Sequence, residues 1–234
     1  MYALRYEILF GDTYFAKLVG GIQTTVILYL LCLAAALALA VVITVLRATG
    51  FKPVEYICAA FVEYQRNVPV LVHLLVWYFG ISSILPSGVS LYLNRHDAEF
   101  TYAVIALSLY GGAYISEELR SGMRAIPPEQ YESAKSIGLT FLQVVGLVII
   151  PQAIRHALPS ITNQALSLYK NTSVAAAIGV AELMYRSREI ITDTFRVFEA
   201  FSVATLVYFI GSLVITAIGY LLVRSLRIPS VAVS

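Results

Sequence analysis

Five charged side chains, Arg66, Glu117, Glu118, Lys170 and Glu182, stand inside or beside long apolar stretches of the 234-residue chain. A charge at membrane depth costs about 2.5 to 3.5 kcal/mol on insertion scales, so such residues face a partner or a watery cavity. Lys170 lies deepest by counting, with Asn171, Thr172 and Ser173 beside it. Its ammonium suits either the carboxylate of a small solute or an internal ion pair, for instance with Glu117. Arg66 and Asn67 precede Pro69, whose missing N–H frees a backbone carbonyl one turn back and loosens a helix there. That is a place for a gate to bend, although a snorkelling arginine is the plainer reading of Arg66. Tyr110, Gly111, Gly112 and Tyr114 place small residues and aromatic hydroxyls on one segment, suited to close helix packing or to a path through it. His73 reads as a satisfied buried histidine rather than a proton carrier.

Other chemistry is poorly served. Cys32 and Cys58 lack CxxC spacing and a nearby histidine pair, so they read as small buried hydrophobes. His96, Asp97 and Glu99 fit a solvated loop better than a metal site. No GxxxxGK[ST] phosphate loop occurs, so any nucleotide must be handled by another chain. With 59% hydrophobic and 13% charged residues, the chain is an integral membrane protein rather than a soluble domain. Its scattered basic residues, net charge +2, make no nucleic-acid footprint. No domain boundary, internal repeat or low-complexity tract stands out.

The most structured polar stretch is Pro127 to Pro151. Pro127 and Pro128 suit a helix start and Glu129 suits its first turn. Gly138 suits its stop, and Thr140 with Gln143 has the spacing of a capping box for the next helix. Between them Tyr131, Ala134 and Ile137 recur every three residues, giving a short amphipathic helix at about 128–138 with one face to bury and one to wet. A rigid polar knob between membrane spans calls for a protein partner outside the bilayer.

Glu132-Ser133-Ala134, three residues, Gly138, nine residues and Val148-Ile149-Ile150-Pro151 resemble the E-A-A, x3, G, x9, I-x-L-P signature of permease subunits in ATP-binding-cassette importers. Ser133, Val148 and Ile150 depart from its commonest letters by small or apolar exchanges. The flanks, Arg66-Asn67-Val68-Pro69, Gly112 to Glu117, Pro151-Gln152-Ala153 and Lys170-Asn171-Thr172-Ser173, are similar to the polar amino acid branch. The likeness extends from about Gly21 to Pro229. VEYQRNVPVLVHLLVWYF, LYKNTSVAAAIGVAEL and the late RSLRIP look most like glutamate/aspartate permeases.

The resemblance implies an all-α integral membrane protein with the type I importer fold: five transmembrane helices and a cytoplasmic coupling helix. It implies a bacterial cytoplasmic (inner) membrane location and alternating access. It also implies ABC ATPase subunits, a second permease, identical or similar, and an external amino-acid-binding protein as partners. Lipid surrounds the chain, no cofactor is expected in it, and ATP with Mg belongs to the ATPase. Glu129, Tyr131, Glu132, Ser133, Ala134 and Gly138 would then couple to the ATPase. Arg66, Asn67, Tyr110, Tyr114, Glu117, Lys170, Asn171 and Thr172 are the candidates for substrate pathway or gate. An ion-gradient-driven carrier using His73, Glu117 and Glu118 is the alternative, and a scaffold without transport is a third reading.

The positioning elements come from hydropathy. Residues 1–19 mix charged and apolar side chains, as in an amphipathic segment on the membrane surface. Gly20 to Leu46 is the first span, Val54 to Pro86 the second through Pro69, and Ser87 to Glu99 a polar loop. Phe100 to about Met123 forms the third. Thr140 to Ile150 is apolar but short, Pro151 and Pro159 break or kink the next stretch, and Ile161 to Leu183 completes the fourth. Ala200 to Val223 is the fifth, within a permease domain of 20–228 ending in a tail, 229–234. Eight basic residues (Arg47, Lys52, Arg120, Arg124, Lys135, Arg155, Arg224, Arg227) against six (Arg5, Lys17, Arg95, Arg186, Arg188, Arg196) put the knob inside and the N terminus outside.

Overall fold

The computed structural model describes residues 4–93, 95 and 97–226, and among them every regular element is helical. His96, Arg227 and the 229–234 tail lie outside the described residues. After a single 3₁₀ turn, Tyr6–Ile8, helix α1 runs Asp12–Ala48. The helix therefore starts eight residues before the expected boundary at Gly20, taking in the charged turn around Lys17. Gly20 and Gly21 do not interrupt it, because Gly21 is a packing residue: a Cβ there would lie 2.9 Å from Leu183 Cα.

The expected second span is two helices, α2 (Lys52–Asn67) and α3 (Val70–Ile84), bent by 109°. Pro69 is the cause. It has no N–H and forces the residue before it out of helical geometry, so Val68 is extended at φ −108°, ψ 134°. The loosening anticipated at this point is a full break. The anticipated polar loop contains a short helix, α4 (Ser87–Leu93), before α5 (Ala98–Arg124). Asp97 caps α5 by accepting from Phe100 N at 2.9 Å, and Glu99 accepts from the Tyr78 hydroxyl at 2.8 Å. Among the described residues no group of three potential metal ligands occurs.

Helix α6, Pro128–Ser136, is the short polar helix of the knob. One turn, Phe141–Gln143, leads into α7, Val144–Ile178. Here the chain departs from the expected breaks. A wider π-helical turn, Val144–Ile149, precedes Pro151, so that the hydrogen-bond ladder shifts to i→i−5, with Ile150 N donating to Val145 O, immediately before the residue that has no N–H to give. Pro159 is likewise carried inside the helix. The helix long and apolar enough to cross here is thus Val144–Ile178 rather than Ile161 to Leu183, and it ends in a 3₁₀ segment, Thr172–Ile178, capped by Gly179 at φ +98°. Helices α8 (Leu183–Thr194) and α9 (Val197–Ser225) complete the fold.

Among the described residues, α1, α7 and α9 are long and apolar enough to cross a membrane, and α2 with α3 makes a fourth if the bent pair is one span. Helix α5 is the central strut. Ala36 and Ala40 of α1, Ala103, Ala106 and Leu107 of α5, and Leu168 of α7 form the main core. Gly111 and Gly112 let the backbones close: Cβ atoms there would lie 3.2 Å from Ala36 Cβ and 2.8 Å from Leu39 Cδ2. Packing therefore accounts for both glycines. A second cluster, Leu9, Leu18, Leu183, Ile190, Ala200 and Ala204, ties the other end together.

Candidate functional site

The α6 knob is fixed at both ends. At its C terminus Gly138 takes φ +87°, Leu139 N donates to Ala134 O (3.4 Å) and Gly138 N to Lys135 O (3.0 Å), the paired bonds of a Schellman motif. Just beyond, Thr140 accepts from Gln143 N at 3.4 Å while the Gln143 side chain accepts from Thr140 N at 2.9 Å. The expected capping box is present. Ala134 is buried and Tyr131 half-buried against Phe141, with Lys135 Nζ 5.5 Å from the Tyr131 ring centre. Ile137, expected on that buried face, is 77% exposed, since it lies past the last helical residue at ψ 10° and turns away. Glu129, Glu132 and Ser133 are exposed, which leaves a polar surface projecting from the bundle.

Above the knob, Glu117 gathers three arginines. Arg47 of α1 reaches its Oε2 at 3.2 Å, Arg120 forks onto both oxygens and Arg124 approaches at 3.4 Å. These contacts bind α1 to the end of α5 that carries α6. Glu117 is therefore an interhelical tie and is not paired with Lys170. Beside this cluster Glu118 accepts from Gln164 of α7 at 3.3 Å.

The α2–α3 break forms a second assembly. Tyr114 donates to Arg66 O at 3.2 Å, with the Arg66 guanidinium 5.4 Å from its ring centre. His73 Nε2 lies 3.2 Å from Gln65 O, and its ring is stacked edge-on to Tyr64 and tilted to Tyr110. Asn67 folds back to donate to Glu63 O at 2.8 Å. Three carbonyls at the broken helix end, those of Glu63, Gln65 and Arg66, are thus engaged by side chains. Arg66, Asn67, Tyr110 and Tyr114 do come together, around a bend.

Lys170 stands elsewhere. It is exposed on α7 two residues past Leu168, which packs level with Gly111 at the middle of α5. With Ser173, Met184, Thr205, Tyr208 and Ser212 it lines a groove of about 520 Å³. Asn171 and Thr172 come next, at the change to 3₁₀ geometry, where Thr172 is buried and donates to Tyr169 O at 2.7 Å. Behind Tyr208, outside the groove lining, Glu182 is fully buried at the start of α8. Its carboxylate accepts from Met184 N, Tyr185 N and the Tyr208 hydroxyl at 2.8 to 2.9 Å. Glu182 is a helix cap. Sequence reading also missed Glu199, buried in the first turn of α9 and accepting from Arg5 N, and Gly122, where a Cβ would lie 2.5 Å from Ala153 O and 2.9 Å from Ala157 Cβ of α7. A glycine inside a long helix was the available signal for the second.

The fold is a bundle of membrane-length helices with a rigid polar helix projecting from one end. Residues 40–228 match the family of binding-protein-dependent transport system inner membrane components, and the chain belongs to that family. It is 32% identical to the probable glutamine ABC transporter permease protein of Bacillus subtilis, covering 88% of this chain and 91% of that one. It is 34% identical to the arginine ABC transporter permease protein of Escherichia coli K12 (85% and 90%) and 26% identical to the glutamate/aspartate import permease protein of that strain (94% and 92%). Among solved structures, an amino acid ABC transporter crystallised with histidines superposes with a TM-score of 0.84 at 27% identity, over 96% of this chain and all of that one.

The chain is accordingly an amino acid ABC importer permease with the type I fold, a multi-pass membrane protein that is not an enzyme; ATP hydrolysis resides in a separate subunit. Membership implies an ATPase and a substrate-binding protein as partners. It also sets aside the ion-gradient carrier and the scaffold.

Proposed function

We propose that this permease imports acidic amino acids, glutamate and aspartate, across the bacterial inner membrane. The observation that carries the reading is Lys170, an exposed ammonium at the mid-level of the bundle in a groove whose lining contains hydroxyls and no carboxylate. A lysine so placed favours a solute with surplus negative charge, because desolvating a cation without a counter-charge is costly. Arg66, Asn67, Tyr110 and Tyr114 form the gate at the α2–α3 bend, and Asn171 and Thr172 hold the end of α7 beside the groove. Glu117 sets the gate's inner boundary by tying α1 to α5.

In this reading α6 is the coupling helix. Glu129, Tyr131, Glu132, Ser133, Ala134 and Gly138 seat it in the ATPase, on which ATP and Mg are bound. Helix α5 is the third crossing in chain order and brings the count to five: its 27 residues reach about 40 Å at 1.5 Å each, and its polar positions are shielded by α1 and α7. The part of α9 that lines the Lys170 groove, Phe201 to Ser212, meets a second permease, identical or similar, so that two chains enclose the path. ATP binding draws the coupling helices together and opens the path outward, and hydrolysis resets it, a two-state equilibrium biased from both sides.

Uptake of labelled glutamate into cells carrying the complete transporter tests the substrate. Competition by excess aspartate, with arginine and histidine ineffective, is the expected outcome. Uptake competed only by arginine, histidine or glutamine contradicts the acidic reading.

A further inference from the structure

A groove at the α6 end of the bundle belongs to none of the assemblies above. Gln152, Arg155, His156 and Pro159 of α7 face Val223 and Leu226 of α9 across about 490 Å³. Its shape results from helix packing. Gly219 brings α9 close against Thr162, and the groove opens one to two turns further toward the α6 end. The groove is level with the last turns of α5, where Gly122 packs on Ala153 and Ala157.

Its charge is one-sided. Arg155 is half-buried, the lining contains no carboxylate, and among the described residues no acidic side chain is paired with Arg155. Beside it His156 is exposed, and Arg224 stands in the last turn of α9. An arginine between apolar walls at the end of a membrane bundle needs an anion whose remainder is hydrocarbon. Guanidinium groups bind phosphate oxygens in pairs, and basic clefts between membrane helices on this side suit acidic headgroups. The α9 wall of this groove lies beyond the Phe201 to Ser212 stretch that lines the Lys170 groove and is open to hydrocarbon, with Val223 half-buried and Leu226 40% exposed. A second protein chain would cover Val223 and Leu226 yet leave the cation unmatched.

We propose that this groove binds one anionic phospholipid from the α6-side leaflet, its phosphate on Arg155 and an acyl chain along Val223 and Leu226. Gln152, in the same lining, donates to Gln130 of α6 at 3.5 Å, so the lipid sits one turn from the knob and braces its mounting. This holds whichever amino acid is carried.

Native mass spectrometry of the purified permease–ATPase complex tests it, with phosphatidylglycerol, phosphatidylcholine and inorganic phosphate added in separate arms. One phosphatidylglycerol per permease chain is expected, retained fivefold or more better than phosphatidylcholine and not displaced by phosphate. Arg155→Gln should lose that preference and Arg155→Lys largely keep it. Val223→Trp, which fills the apolar side and leaves Arg155 in place, should weaken retention too, and it decides the matter if Arg155→Gln does not assemble. Equal retention of phosphatidylglycerol by wild type, Arg155→Gln and Val223→Trp overturns the proposal. So does displacement by millimolar phosphate, which would assign the site to a soluble anion, or the absence of bound lipid from a groove covered by the ATPase.

Discussion

Gly138 is the residue on which the knob's orientation turns. No heavy atom would lie within 4 Å of a Cβ there, so a substitution meets strain from φ +87° alone and no clash. For an ordinary L-residue that conformation costs about 1 to 2 kcal/mol, and asparagine tolerates it best. Gly138→Asn should therefore leave the melting temperature of the assembled transporter nearly unchanged, while Gly138→Val, β-branched, should lower it by several degrees; equal effects would remove the backbone argument. Residues of this kind were legible in the sequence. The Gly138 stop and the Thr140–Gln143 pair depend on local chemistry, and both stand where spacing put them. Ile137 was misjudged because a period of three was extended one residue past the last helical one.

At the scale of elements, the α2–α3 bend shows what a proline does when its surroundings can receive the freed groups. Pro69 breaks the helix, and Tyr114, Asn67 and His73 then engage carbonyls at the broken end, which fixes the angle. Removing one hydroxyl by Tyr114→Phe leaves Arg66 O without that donor. Spin labels near Glu55 and Ile84 should then give a broader distance distribution than in wild type, because the bend loses one of its restraints. An unchanged distribution would assign the angle to Pro69 alone. Sequence reading found the proline and missed the angle, because these partners lie up to 48 residues away in the chain. Pro151 was misread for a similar reason. Whether a proline ends a helix depends on the preceding turn, and here a π-helical turn absorbs it.

Across the whole molecule, the core is built from small residues that allow three long helices to touch, and its polar ties lie at the two ends. Arg47, Glu117, Arg120 and Arg124 cluster near α6, whereas Lys17 with Asp193 (3.0 Å) and Arg186 with Glu189 (2.6 Å) lie at the other end. Of the basic residues expected on opposite sides, Arg47, Arg120 and Arg124 thus stand at one end and Lys17 and Arg186 at the other. Adjacent glycines in α1 make the packing argument testable. Gly20→Ala meets nothing within 4 Å and should be neutral or stabilise by about 0.5 to 1 kcal/mol, as alanine does inside helices. Gly21→Ala would press on Leu183 and should reduce the folded yield and melting temperature clearly; similar behaviour of the two would contradict the α1–α8 contact. Composition and hydropathy made the long helices legible. They could not show that α5 is wrapped by its neighbours, since burial by other helices leaves no apolar signature of its own.

The central claim is that α6 carries the drive from the ATPase into the bundle. The most direct measurement is ATP-driven uptake of labelled glutamate by proteoliposomes containing the permease, its ATPase and the binding protein, with Gly138→Glu compared against Gly138→Asn. Uptake should persist near the wild-type rate in Gly138→Asn. In Gly138→Glu it should fall at least tenfold, with ATP hydrolysis either continuing without transport or lost together with the ATPase. Undiminished ATP-driven uptake in Gly138→Glu would contradict the account.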